Sequence, residues 1–128
     1  MVAGAAQLNP RQHAEAWVAA YVKAWRTPGV DLLADLFTED ATYSMAPYEP
    51  TTHGLDAIGE LWERERQGPD ERFTITSEVV AAEGETAVAR VEVHYDREPP
   101  EDFRDLWVMQ FAADGRCQAF EEWPFAPR

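Results

Sequence analysis

His94, Asp105 and Glu122 carry or release protons close to neutral pH, and with Arg90 they fall in the last third of the chain. An imidazole titrates near neutrality and serves as acid or base. A carboxyl among rings and thioethers is pushed toward its protonated form by desolvation. Asp105 and Glu122 share an expected sheet face with Trp107 and Met109, which makes them the carboxyls best placed for general acid–base work. The competing reading is a structural ion pair with Arg90 or Arg104, and it carries equal weight. His94 beside either carboxyl completes an acid–base pair; read alone, it is an ordinary polar surface residue. Tyr21 adds a phenol that can donate to an oxygen. His53 adjoins Gly54 where it can line a cavity mouth, while His13 belongs in solvent at the start of a helix.

Other chemistries find little support. Three widely scattered histidines make no metal-ligand spacing, and one cysteine assembles neither a thiolate site nor an internal disulfide. There is no Gly-x-Ser-x-Gly elbow, no glycine loop for phosphate, and no histidine close in sequence to Cys117.

The elements that must position these residues follow from periodicity. Asn9 is a good N-cap and Pro10 suits the first helical position. Ala14, Trp17, Val18, Tyr21, Val22 and Trp25 then recur at helical spacing. Thr27-Pro28-Gly29 stops that helix, and a shorter one carries Leu32, Leu33, Leu36 and Phe37. Thr38-Glu39-Asp40 reads as a turn and Ala41–Met45 as a short strand. A third helix buries Ile58, Leu61 and Trp62 and ends at Gln67-Gly68-Pro69. From Arg72 the period becomes two, with strands expected over Phe73–Ala82, Thr86–Asp96, Phe103–Ala112 and Arg116–Trp123. Helices followed by an antiparallel meander predict an α+β fold with the helices on one sheet face.

Asp114-Gly115 is the favoured pair for a two-residue type I′ turn. Such a turn sets Phe111 opposite Gln118, Met109 opposite Phe120, Trp107 opposite Glu122 and Asp105 opposite Pro124. Both faces of this hairpin then carry large apolar groups, which predicts a homodimer through the outer sheet face, with Glu121 near the contact. In Thr86–Asp96, Ala87, Ala89, Val91, Val93 and Tyr95 alternate with Val88, Arg90, Glu92, His94 and Asp96. Either the charged set meets solvent, or it points into the fold beside the carboxyls.

Composition bounds the whole. The 128 residues suffice for a single domain, with an ordered core over about 9–125. A net charge of −13 argues against nucleic acid and against anionic membrane surfaces. No apolar run reaches the about 18 residues of a membrane span. The start of the chain lacks a basic leader, so a cytoplasmic location is expected.

The strings Tyr21-Val-Lys-Ala-Trp25, Leu36-Phe-Thr-Glu-Asp-Ala-Thr-Tyr43, His53-Gly-Leu-Asp-Ala-Ile58 and Phe103-Arg-Asp-Leu-Trp-Val, with the ending Glu121-Glu-Trp123, resemble SnoaL-like proteins of the nuclear transport factor 2-like superfamily. The resemblance spans residues 10 to 125. It implies a cone-shaped α+β barrel, with three helices on a strongly curved, mostly antiparallel sheet and a cavity at the open end. Relatives such as ketosteroid isomerase, limonene epoxide hydrolase and polyketide cyclases act on small, largely apolar molecules, typically with no metal or organic cofactor. Likeness to the isomerase implies an oxyanion-binding role for Tyr21, puts Met45 where its general base stands, and puts Trp107 at its second oxyanion donor. Isomerase chemistry of that kind is therefore not expected, since the base is missing. The likeness also favours an inward Arg90, Glu92 and His94. Arg90, Asp105 and Glu122 supply the ingredients, though not the spacing, of the hydrolase's Asp-Arg-Asp cluster. Trp62, Tyr43, Met45, His53, Trp107, Met109 and Phe120 complete the expected lining, while Trp25 reads as core. A small apolar ligand is the implied partner, bound with or without catalysis; the superfamily also includes protein-interaction modules.

Overall fold

The computed structural model describes residues 8–66 and 72–127. Helix α1 spans Pro10–Arg26, opened by a capping box. The Asn9 side chain accepts from the Gln12 N–H at 2.8 Å, and the Gln12 side chain accepts from the Asn9 N–H at 3.2 Å. Its buried stripe is Ala14, Trp17, Val18, Tyr21 and Ala24. Helix α2 is one turn, Leu33–Leu36, and α3 spans Leu55–Glu65. The expected stop at Gln67-Gly68-Pro69 lies outside the described residues; α3 is capped one residue after Glu65 by the Arg66 N–H to the Trp62 carbonyl at 3.0 Å.

Six strands form one sheet: β1 Phe37–Ser44, β2 Thr52–His53, β3 Phe73–Glu83, β4 Thr86–Tyr95, β5 Glu101–Phe111 and β6 Cys117–Phe125. The order is β2-β1-β6-β5-β4-β3, antiparallel throughout except that β1 runs parallel to β6. Strand β1 begins earlier than sequence periodicity suggests. Phe37 is fully buried and belongs to the strand rather than to α2, and Thr38-Glu39-Asp40 lies within β1 rather than in a turn. The parallel pairing with β6 overrides the local turn preference. What survives of that preference is a register shift between Phe37 and Thr42, with the Thr38 hydroxyl donating to Asp40 Oδ1 at 3.1 Å.

The β5–β6 hairpin differs at its tip from the two-residue turn. A type I′ turn needs positive φ at both central residues, but only Gly115 (φ 93) has it; among the described residues no non-glycine does. The Ala112 N–H instead donates to the Arg116 carbonyl at 2.7 Å, closing a three-residue loop, and Phe111 stands opposite Cys117. A bulge next to that pair restores the expected register, so Met109 faces Phe120, Trp107 faces Glu122 and Asp105 faces Pro124.

The helices cover one face of the sheet, and the closed end of the cone is packed with rings. Trp17, Phe37, Phe111 and Phe120 meet there with centroids 5.6–6.2 Å apart. Met109 and Phe120, both fully buried, belong to this core rather than to a cavity surface. Strand β4 turns Ala87, Ala89, Val91 and Val93 inward. Arg90, Glu92 and His94 therefore point outward, which corrects the inward reading of that face. The apolar set is what the helices cover, and a period of two leaves the charged set no choice.

Candidate functional site

At the open end of the cone lies a cavity of about 250 Å³. Strands β3, β4, β5 and β6 supply one wall, α1 and α3 the other, and β1 with the residue after it the edge. Among the described residues, eight of the eighteen that line it are aromatic. Tyr21, Tyr43, Trp62 and Trp107, all expected there, are at most 6 % exposed, and Met45 joins them. Trp25, expected as core, is half-buried and lines the cavity against Trp62, with centroids 4.9 Å apart.

Two polar features break this apolar lining. The first is a phenol pair. Tyr21, on the buried stripe of α1, and Tyr43, on the inner face of β1, share a hydrogen bond of 2.5 Å between their hydroxyls. Phe120 lies under both rings, 5.5 Å from Tyr21 and 4.8 Å from Tyr43. Burial above all, and then the nearby charges of Tyr43 and Glu122, raise the Tyr21 phenol well above its ordinary range; burial does the same to Tyr43. Both therefore stay protonated and act as donors, not bases.

The second feature is the carboxyl pair. Asp105 on β5 and Glu122 on β6 are diagonal neighbours on the inner face, because Trp107 stands opposite Glu122 and Asp105 opposite Pro124. Asp105 is 3 % exposed, and its Oδ2 accepts only a long bond of 3.4 Å from the Trp107 indole. Its Oδ1 is buried with no N–H donor among the described residues. Burial, then the hydrogen bond and charge of the adjacent Asp105, then Glu65, push the Glu122 carboxyl well above the usual carboxylate range. A proton held on Glu122 answers the orphaned Oδ1, since two adjacent buried carboxyls cannot both ionise and one O–H satisfies the other's lone pair.

The remaining expected site residues lie elsewhere. His94 Nδ1 pairs with Asp102 at 2.6 Å on the outer face, and Arg90 pairs there with Glu78 at 3.0 Å. Glu92 is exposed on the same face. Their distance from the cavity removes His94 as a partner for the carboxyls and Arg90 as their cation. His53 sits exposed on the short edge strand β2, outside the lining. His13 is not solvated as expected: it packs edge-on to Phe111, centroids 4.5 Å apart.

Sequence reasoning missed Glu65 and Arg97 at the cavity, along with Tyr95 and Phe103. Parity along β4 and β5 carried a signal for the two rings, since Tyr95 continues the Ala87–Val93 face and Phe103 the Asp105–Met109 face. Arg97 follows β4, stacks on Tyr95 at 4.3 Å, and is held by Glu101 at 2.6 Å. Among the described residues no three ligating side chains gather as a metal site, and no helix is long and apolar enough to cross a membrane.

Several solved structures share the fold. A protein from Jannaschia sp. CCS1 named for the SnoaL-like polyketide cyclases superposes with a TM-score of 0.75 at 14 % identity, over 92 % of this chain and 89 % of that one. SalBIII, an epoxide hydrolase/cyclase-like enzyme of pyran ring formation in the polyether salinomycin, gives 0.73 at 16 % identity, over 89 % and 92 %. A ketosteroid isomerase-like protein from Erwinia carotovora atroseptica SCRI1043 gives 0.66 at 20 % identity, over 94 % and 100 %. At such identities the likeness speaks for the nuclear transport factor 2-like cone fold alone. No functionally curated protein matches the chain. The SnoaL-like domain family matches residues 18–120, most of the helix-and-sheet cone just described, and the chain belongs to that family.

Proposed function

We propose that this protein binds a small, largely apolar molecule in the cone and performs cofactor-free acid–base chemistry on it, of the isomerase, dehydratase, cyclase or hydrolase type. The observation that carries this reading is the carboxyl pair in the cavity wall, with Asp105 Oδ1 buried and Glu122 raised beside it. A pair that holds one proton supplies an acid and a base within one cavity. Glu122 delivers the proton and Asp105 receives one, while Tyr21, braced by Tyr43, donates to an oxygen of the ligand. His94 has no part in this scheme. The solved relatives with cyclase, hydrolase and isomerase names agree with such a cavity without naming a substrate for this chain.

The test is a panel of small ketones, epoxides and lactones, screened for binding and turnover against the unsubstituted protein, Asp105→Asn and Glu122→Gln. Conversion of a panel member that either substitution lowers by about 10²-fold or more supports the reading. Conversion unaffected by both places the chemistry elsewhere. Binding without conversion leaves a ligand-binding module.

The outer sheet face is proposed as the contact of a homodimer. Leu106, Trp123 and Phe125 are exposed there, 37–58 % by residue, on paired strands. Sedimentation of the protein and of Trp123→Glu tests this, and a monomer in both cases overturns it. A cytoplasmic location is proposed as well, since a chain with one cysteine carries no internal disulfide of the kind that oxidising compartments favour.

A further inference from the structure

The cavity's charge and its rings together restrict what can enter it. Among the described residues three carboxyls line it, Glu65, Asp105 and Glu122, against one guanidinium, Arg97. That guanidinium is already engaged, its Nε donating to Glu101 at 2.8 Å while the group stacks on Tyr95. With one proton on the Asp105–Glu122 pair the lining still carries a net negative charge, and the whole chain adds a field of −13 that draws cations and repels anions. Around the pair stand aromatic walls, among them Trp25, Trp62, Trp107 and Tyr95. Ring faces over a dry carboxylate are the surroundings that stabilise an organic cation. The Asp105–Glu122 pair supplies the second sign, since both residues line the cavity and sharing one proton leaves a full negative charge beside the rings.

We propose that the cavity takes a small apolar amine as its ammonium ion, the N–H donated to the Asp105–Glu122 carboxyl pair and the cation resting against the indole and phenol faces. This deepens the proposed function and rests on it, since it names the class of molecule that the same cavity binds. The volume of about 250 Å³ equals roughly eight waters, which suits a compact molecule of one ring and a short arm. A carboxylate of that size meets Glu65, Asp105 and Glu122 with no uncommitted cation opposite.

Three probes of similar size and shape separate the possibilities. They are N,N-dimethylphenethylamine, protonated at neutral pH, the neutral ketone 4-phenyl-2-butanone and the anion 3-phenylpropionate. Binding is read by calorimetry and by quenching of tryptophan fluorescence. The amine is expected to bind at least about tenfold more tightly than the ketone, with the anion weakest. Asp105→Asn is expected to abolish the preference for amine over ketone while keeping ketone affinity. Should that variant fold poorly, Glu65→Gln keeps the test alive, because a cation in the cavity must lose affinity there while the ketone does not. A ketone bound as tightly as the amine, or an amine indifferent to both substitutions, overturns the inference and leaves the cavity a binding site for neutral molecules. Failure of all three probes to bind overturns the cavity reading itself.

Discussion

Glu122→Gln is the perturbation that bears most directly on the site. In the folded chain the Glu122 carboxyl is driven upward by burial first, and then by the Asp105 carboxyl lying against it. In the unfolded chain it titrates near the ordinary value of about 4.3. The folded state therefore holds a proton that the unfolded state releases. The associated stability is fully present below the unfolded value and declines as pH rises toward the folded one. Within that window the decline is about 1.4 kcal/mol per pH unit, the free energy of a one-proton difference. The glutamine amide offers an N–H to Asp105 Oδ1, as the protonated acid does, and has no proton to lose. Urea unfolding of both proteins at steps between about pH 5 and pH 8 reads the difference directly. The unsubstituted protein is expected to lose ground to Glu122→Gln by up to about 1.4 kcal/mol per unit, becoming the less stable of the two toward the alkaline end. Parallel pH profiles would refute the shared proton and with it the physical basis of the proposed chemistry.

Other outcomes follow from single contacts. Tyr43→Phe leaves the Tyr21 hydroxyl buried without the 2.5 Å partner it has now, and is expected to cost about 1–3 kcal/mol by urea unfolding. A loss within error would mean that another group satisfies Tyr21. Gly115→Ala places a Cβ on a backbone at φ 93, only 3.1 Å from His13 Cε1; a loss of at least about 1 kcal/mol in thermal unfolding is expected, and a neutral result would show that the loop rearranges. His94→Ala breaks a pair whose side chains are 47 % and 64 % exposed, so it should change stability by less than about 1 kcal/mol and leave ligand binding untouched. Impaired binding in that variant would bring the outer face back into the function.

Much of this molecule is legible without its structure. Asn9 and Pro10 announce the first helix, and the stripe through Ala14, Trp17, Val18 and Tyr21 orients it, because those signals act within one or two turns of chain. Strand parity, counted back from the Asp114-Gly115 joint, pairs Trp107 with Glu122 and so puts both carboxyls on one face. That count succeeds although the turn type differs, since the bulge beside Phe111 adds the residue that the longer loop removes. Periodicity specifies which residues share a face, but not which of two faces is covered. For β4 that choice waited on the helices, which cover Ala87, Ala89, Val91 and Val93 and leave Arg90, Glu92 and His94 in solvent. Nor could spacing show that Tyr43, from a strand lengthened by its parallel pairing to β6, would meet Tyr21 from a helix twenty-two residues away. Contacts between elements depend on how whole faces pack, and it is packing that turned two phenols and two carboxyls, scattered along the chain, into one cavity.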